Sequence, residues 1–255
     1  LYRTHTMKYR TPILGLTGLL ALLAFWQIGS LILAQSMPLA NMLTPAAALG
    51  SLAHLLPEAA LWAHIGASLQ RVAVGLMGAL AAGIPIGFAL GLSRRAEETV
   101  SPAFQFLRMV SPLSWMPVAV MLFGIGNAPI YFLLAFAAVW PIILNTASGV
   151  RNINPQWLEL GRSLSATRAE MLFKIMLPAV LSDILNGLRL AIGISWVVLV
   201  PCEMLGVNEG LGYFILDTRD RLAYSELMAA IVLIGIIGWL LDSAARLLAK
   251  QQRKA

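Results

Sequence analysis

Residues 154–178, NPQWLELGRSLSATRAEMLFKIMLP, form a polar, basic stretch between two long apolar segments, and the reading of the whole chain turns on them. Asn154-Pro155 is a helix-start signal: Asn caps, and Pro is tolerated in the first turn, where its missing N–H is not needed. A helix from there predicts Trp157, Leu160, Gly161 and Leu164 on one face and Glu159, Arg162 and Ser163 around the other. The helix is expected to break at Ser165-Ala166. It restarts at Thr167-Arg168-Ala169-Glu170, which has the spacing of a capping box. The second helix carries Ala169, Leu172, Phe173 and Met176 at helical period and is expected to stop near Leu177-Pro178. Two short amphipathic helices meeting at an angle either lie on a bilayer surface or offer a shape that another protein can grip.

The composition says where such a loop belongs. The chain has 255 residues, 59% of them hydrophobic and 12% charged. Soluble domains carry about 25% charged residues, so this chain is a membrane protein. Its net charge of +6 then reports topology more than nucleic-acid binding. The single Cys202 excludes an intramolecular disulfide, and the three scattered histidines (His5, His54, His64) give no metal-ligand pattern. Met7 reads as a start, with LYRTHT as an upstream extension. No small-residue cleavage pattern follows the first apolar stretch, so it reads as a retained helix.

Six spans are predicted, at about 13–33, 72–92, 102–125, 130–150, 179–205 and 227–248, each near the 20 residues that cross a bilayer. Gly75, Gly78, Gly83, Gly87 and Gly91 run along the second and allow close helix approach; Pro85 should kink it. Ser111-Pro112 and Met116-Pro117 predict a broken third span. Residues 35–61 read as an external loop with a short interfacial helix. Thirteen of the 18 Lys and Arg fall on segments 1–12, 94–95, 151–174 and the tail, against Arg219 and Arg221 on the opposite side. The positive-inside rule therefore puts both termini and the 154–178 loop in the cytoplasm. The remaining Arg71, Arg108 and Arg189 lie in or beside spans.

The loop resembles the EAA motif of bacterial ABC-importer permeases: Glu-Ala-Ala, three residues, Gly, nine residues, Ile, one residue, Leu-Pro. Here Glu159-Leu160-Gly161, Arg162 to Leu164, Ser165 in the Gly place, Ala166 to Lys174, Ile175, Met176 and Leu177-Pro178 keep that spacing. Both Ala positions and the Gly are substituted. Ser111 to Pro117 with Phe123 to Gly126, then Gly187-Leu188-Arg189, Ser195-Trp196, Glu203 to Leu205 and Gly210 to Tyr213, are similar to the nitrate/sulfonate/taurine/bicarbonate branch of that family. Together these cover most of residues 60–245. The resemblance implies a type I ABC-importer permease fold: all-α, about six transmembrane helices, one permease domain over residues 1–255, and a cytoplasmic two-helix coupling loop. It also implies a homodimer in the bacterial inner membrane, with two cytoplasmic ATPase subunits and an external binding protein. The pathway would carry a small anion such as nitrate, bicarbonate or a sulfonate, or a non-anionic substrate such as a vitamin precursor. The ATPase-coupling residues it points to are Glu159, Gly161, Arg162, Ser163, Ser165, Ala166 and Arg168.

The residues themselves agree on energy supply. A phosphate-binding P-loop needs Gly-x4-Gly-Lys-Ser/Thr, and none of the four lysines follows a Gly; ATP and Mg are expected on a separate subunit, and this chain is not expected to be an enzyme. Ionised residues at span depth are costly, so each invites a role or a partner. Arg108 and Arg189 are pathway candidates, although either could snorkel, and Asp183 is within reach of Arg189. Arg71 reads as interfacial and Glu203 as a structural salt-bridge partner. Ser111, Ser114 and Trp115 are candidates because a broken span is tolerated where it lines a cavity. Trp196 is another, with helix packing as its alternative. An ion-driven secondary transporter would need an acidic relay, and none is visible; an intramembrane hydrolase would need motifs that are absent.

Overall fold

The computed structural model describes residues 10–252, with side chains described for 15–247. The predicted N-terminal segment and basic tail, with Arg3, Lys8, Arg10, Lys250, Arg253 and Lys254, lie outside the described side chains. All regular structure in the described chain is helical: α1 (Arg10–Ser36), a 3-10 segment Pro38–Leu43, α2 (Pro45–Leu55), α3 (Ala59–Leu92), α4 (Arg94–Met109), a 3-10 turn Pro112–Trp115, α5 (Met116–Phe123), α6 (Asn127–Arg151), α7 (Pro155–Ser163), α8 (Arg168–Glu170), a π segment Met171–Met176, α9 (Leu177–Glu203), α10 (Leu211–Asp220) and α11 (Tyr224–Gln252). Five helices are long and apolar enough to cross a membrane, and the pair α4 and Pro112–Phe123, bent by 88°, makes a sixth if counted as one broken span.

Three boundaries differ from the sequence reading. The second span begins at Ala59, not near Val72, because His64, Ser68 and Arg71, which depress its hydropathy, share one helical face and are used internally. The third begins at Arg94, where Ser93 caps the helix by accepting the Ala96 N–H at 3.3 Å; its break falls at Ser111-Pro112 as expected. The second helix of the 154–178 loop does not stop at Pro178. It runs unbroken from Arg168 to Glu203. A proline in mid-helix has no N–H for the preceding turn, and the π segment immediately before Pro178 widens that turn so that the helix continues.

The chain divides into two compact units, residues 1–62 with 215–233, and 63–214 with 234–255. In the first, Thr44 caps α2 by accepting the Ala47 N–H, and the Trp26 indole donates to the Leu43 carbonyl at 2.8 Å. In the second, α6 is the centre: Ile130, Leu133, Leu134, Ala138, Ile142 and Thr146 are all fully buried. Glycines bring its neighbours close. A Cβ on Gly75, Gly83, Gly87 or Gly91 of α3 would lie 2.6, 2.8, 2.6 or 2.5 Å from Leu134, Ile142, Thr146 or Val150. Each partner lies the same number of residues further along the chain, so α3 and α6 run parallel and in register. On the other side Gly187 of α9 sits against the Pro141 carbonyl, and Gly149 of α6 against Val180 and Asp183. Between membrane helices close packing of this kind replaces the hydrophobic drive available in water.

Gly87→Leu should therefore force α3 off α6 and cost about 1–3 kcal/mol, seen as a lower thermal midpoint of the detergent-solubilised protein. Gly193→Ala, where nothing lies within 4 Å, should leave that midpoint unchanged or raise it.

Candidate functional site

The loop between α6 and α9 is held in one shape by its own backbone. The Asn154 side chain accepts the Gln156 N–H at 3.0 Å and starts α7. At the far end the Ser165 N–H donates to Arg162 O and the Ala166 N–H to Gly161 O, both at 3.0 Å. That pairing is a Schellman termination, which needs a left-handed residue after the helix. Ser165 supplies it with φ 55°. Two residues later Thr167 accepts the Glu170 N–H at 3.3 Å and donates its own N–H to Glu170 Oε2 at 3.0 Å. The capping box is complete, and Lys174 braces it through a 2.9 Å ion pair with Glu170. The break survives without Gly because the two caps, one on either side of Ser165, fix the turn.

The faces of α7 are rotated from the expected ones. Leu158 and Gly161 turn inward: Leu158 joins Met171 and Leu172 against a core of Phe88, Val150, Ile153, Met176, Val180 and Ile184. A Cβ on Gly161 would meet the tips of Ile175 and Met171 at 2.5 and 2.8 Å. Trp157, Leu160 and Leu164, expected on the same face as Gly161, are exposed, as is Phe173. The reason is the base of the loop: Ile153 and Met176 sink into the core and present α7 by its 158/161 edge. Glu159, Arg162, Ser163, Ser165 and Arg168 are exposed and Ala166 is half-buried. The loop thus offers an apolar ridge flanked by charges. A cavity of about 520 Å³ opens between Trp157 and Leu160 on one side and Ile175 and Pro178 on the other.

The arginines at span depth separate into three environments. Arg71 is buried, at 4% exposure; its guanidinium meets Glu203 (0%) at 2.5 Å, the Glu209 carbonyl at 2.7 Å and Asn127 Oδ1 at 2.8 Å. Ser68 donates to Glu203 at 2.8 Å and accepts the Leu211 N–H, Gly212 N–H donates to Glu203, and Gly210 N–H donates to His64 Nδ1. Gly210, at φ +116°, has no room for a Cβ against Arg71 and Glu203. The signal in the sequence was the i, i+4, i+7 spacing of His64, Ser68 and Arg71, hidden by reading those positions as a loop edge. Arg189 pairs with Asp242 at 3.0 Å, not with Asp183. Arg108 is exposed and lines two cavities.

Ser111 and Ser114 are exposed at the 88° corner, and Trp115 is half-buried there, 5.7 Å from the Phe136 ring. Trp196 is 8% exposed; its indole donates to Ile234 O at 3.1 Å and lies over Gly238, so it packs α9 on α11. The structure therefore brings Arg108, Ser111, Ser114 and Trp115 to one bend and places Trp196 in a helix contact.

Residues 83–254 match the family described as binding-protein-dependent transport system inner membrane component. The chain belongs to this family. Among curated relatives it is 39% identical to the nitrate import permease NrtB of Leptolyngbya laminosa over 74% of this chain and 67% of that one. It is 41% identical to the bicarbonate transport permease CmpB of Synechococcus elongatus over 69% and 64%, and 34% to the taurine transport permease TauC of Escherichia coli over 76% and 70%. A chain of the MetNI methionine ABC transporter in an inward-facing conformation shares the fold, with TM-score 0.63 at 18% identity over 75% of this chain and 95% of that one.

Ser165→Gly should stabilise the protein by up to about 1 kcal/mol by relieving a left-handed Ser, and Ser165→Val should destabilise it by at least that much; thermal midpoints in detergent would show opposite signs. Arg71→Met should cost about 3–5 kcal/mol by leaving Glu203 buried without a counter-charge. The double change with Glu203→Leu should recover much of that loss.

Proposed function

We propose that two copies of this chain form the transmembrane pathway of an ATP-driven importer for a small anion such as nitrate, bicarbonate or a sulfonate. In this reading each copy is a single permease domain with both termini in the cytoplasm. It hydrolyses nothing itself, takes substrate from an external binding protein, and docks one of two cytoplasmic ATPase subunits through residues 154–178. The observation that carries the proposal is the doubly capped turn at Ser165, which holds an exposed ridge of Trp157, Leu160 and Leu164 beside Glu159, Arg162, Ser163 and Arg168. An exposed apolar ridge with a charged rim is the composition of a protein-binding surface. The loop is continuous with α9 through the π segment, and Leu158 packs it against the cluster that holds Phe88 of α3 and Val150 of α6. A push on it is therefore transmitted to the spans as a rigid-body motion. In the partner's groove Glu159 and Arg162 make the polar contacts, while Gly161, Ser165 and Ala166 set the angle of the ridge. The anion follows from the nitrate, bicarbonate and taurine permeases among the relatives.

Glu159→Lys reverses a charge on the exposed face without touching the core. The substituted chain should insert and fold, yet lose the ATPase subunits on co-purification and lose ATP-driven uptake. Unchanged recovery of the ATPase subunits together with unchanged uptake would refute docking at this loop.

A further inference from the structure

We infer that Arg108 is the residue that selects anions along the pathway, and that Arg71 is not; this rests on the importer reading above. Charge pairing separates the three. Arg71 is consumed by Glu203, while Arg189 is held by Asp242, a carboxylate it shares with Arg246. Arg108 has no acidic partner among the described residues, yet it stands where two cavities of about 230 and 320 Å³ meet, each also lined by Trp140 and Leu144.

The approach to it is polar along the α4 edge. Glu97, Ser101, Gln105 and Arg108 recur at helical spacing on α4 and line the smaller cavity, opposite Leu144 and Arg151 of α6. The Glu97 carboxylate is ion-paired with Arg151, so those two charges cancel and one positive charge remains, on Arg108. The opposite wall is rigid: the Trp140 ring is held edge-on by Phe104 at 5.3 Å and by Phe136 at 5.4 Å. Pro112, at the corner of the broken span, closes the larger cavity.

A guanidinium beside aliphatic and aromatic walls, with no carboxylate to neutralise it, draws an anion and repels a cation. Its planar fork matches two oxygens of a nitrate, bicarbonate or sulfonate. At about 30 Å³ per water, the smaller cavity has room for such an ion with part of its hydration shell. A single cation also binds weakly enough to let the ion move on, as conduction requires.

The test uses the complete assembly, this chain with its ATPase and binding protein, reconstituted in proteoliposomes and offered nitrate, bicarbonate and ethanesulfonate in turn. Arg108→Gln should lower ATP-driven uptake of the transported anion by about tenfold or more, the scale of one lost charge-assisted contact. ATP hydrolysis stimulated by the loaded binding protein should persist in that variant, and Arg108→Lys should restore part of the uptake. If the unaltered assembly imports an anion and Arg108→Gln imports it equally well, the assignment of Arg108 is overturned while the importer reading stands. If the unaltered assembly imports none of the three but does import a neutral compound, the anion reading fails and this inference fails with it.

Discussion

The structure depends on how closely α3 and α9 approach α6. Lipid tails are as apolar as leucine, so membrane helices gain little by hiding hydrophobic surface from one another and rely on direct contact. Gly75, Gly83, Gly87 and Gly91 supply that contact along α3, and Gly149 and Gly187 supply it between α6 and α9. Because the first set is in register from Leu134 to Val150 of α6, the three helices behave as one body. The 154–178 loop is hung from this body at both ends, by Ile153 leaving α6 and by Met176 entering α9. Its position is thus set by the core, and its shape by two caps around Ser165.

At the other end of the same body a second constraint acts. Arg71, Ser68 and His64 on α3 hold Glu203 and the backbone of residues 209–212 in a buried network. A buried ion pair of this kind adds little net stability but penalises every arrangement in which it is broken. It ties the end of α9 to α3 and Asn127, so a displacement of the 154–178 loop cannot be absorbed by loosening the far end of α9. The broken span is tied more loosely: α4 has no buried residue, its Glu97 meets Arg151 in a half-exposed ion pair, and the unpaired Arg108 lies beside its corner.

Much of this was legible in the sequence, for identifiable reasons. Glycine spacing on α3 reported a contact surface because glycine has few other uses in a membrane helix, and Asn154-Pro155 and Thr167 to Glu170 reported caps because capping is local chemistry. The break at Ser111-Pro112 followed from proline. What was hidden depends on contacts distant in sequence. The start of α3 was misplaced because His64, Ser68 and Arg71 look like a loop until Glu203 and Gly210 are brought beside them. The partner of Arg189 is on α11, 53 residues away, and no local pattern points to it. The rotation of α7, which buries Gly161 and exposes Leu160, depends on how Ile153 and Met176 seat in the core. The continuation through Pro178 depends on a π turn that no periodicity announces.

The central claim is that the ridge on α7 is the surface an ATPase subunit grips. The lone Cys202 is buried, so a chain with Cys202→Ser and Leu164→Cys carries one reactive thiol, at an exposed position of that ridge. In membranes that also contain the ATPase, a short bifunctional crosslinker should join this thiol to the ATPase subunit, with a yield that changes when ATP is added. A thiol that reacts freely with a soluble maleimide yet never crosslinks to the ATPase, with or without ATP, would contradict the account.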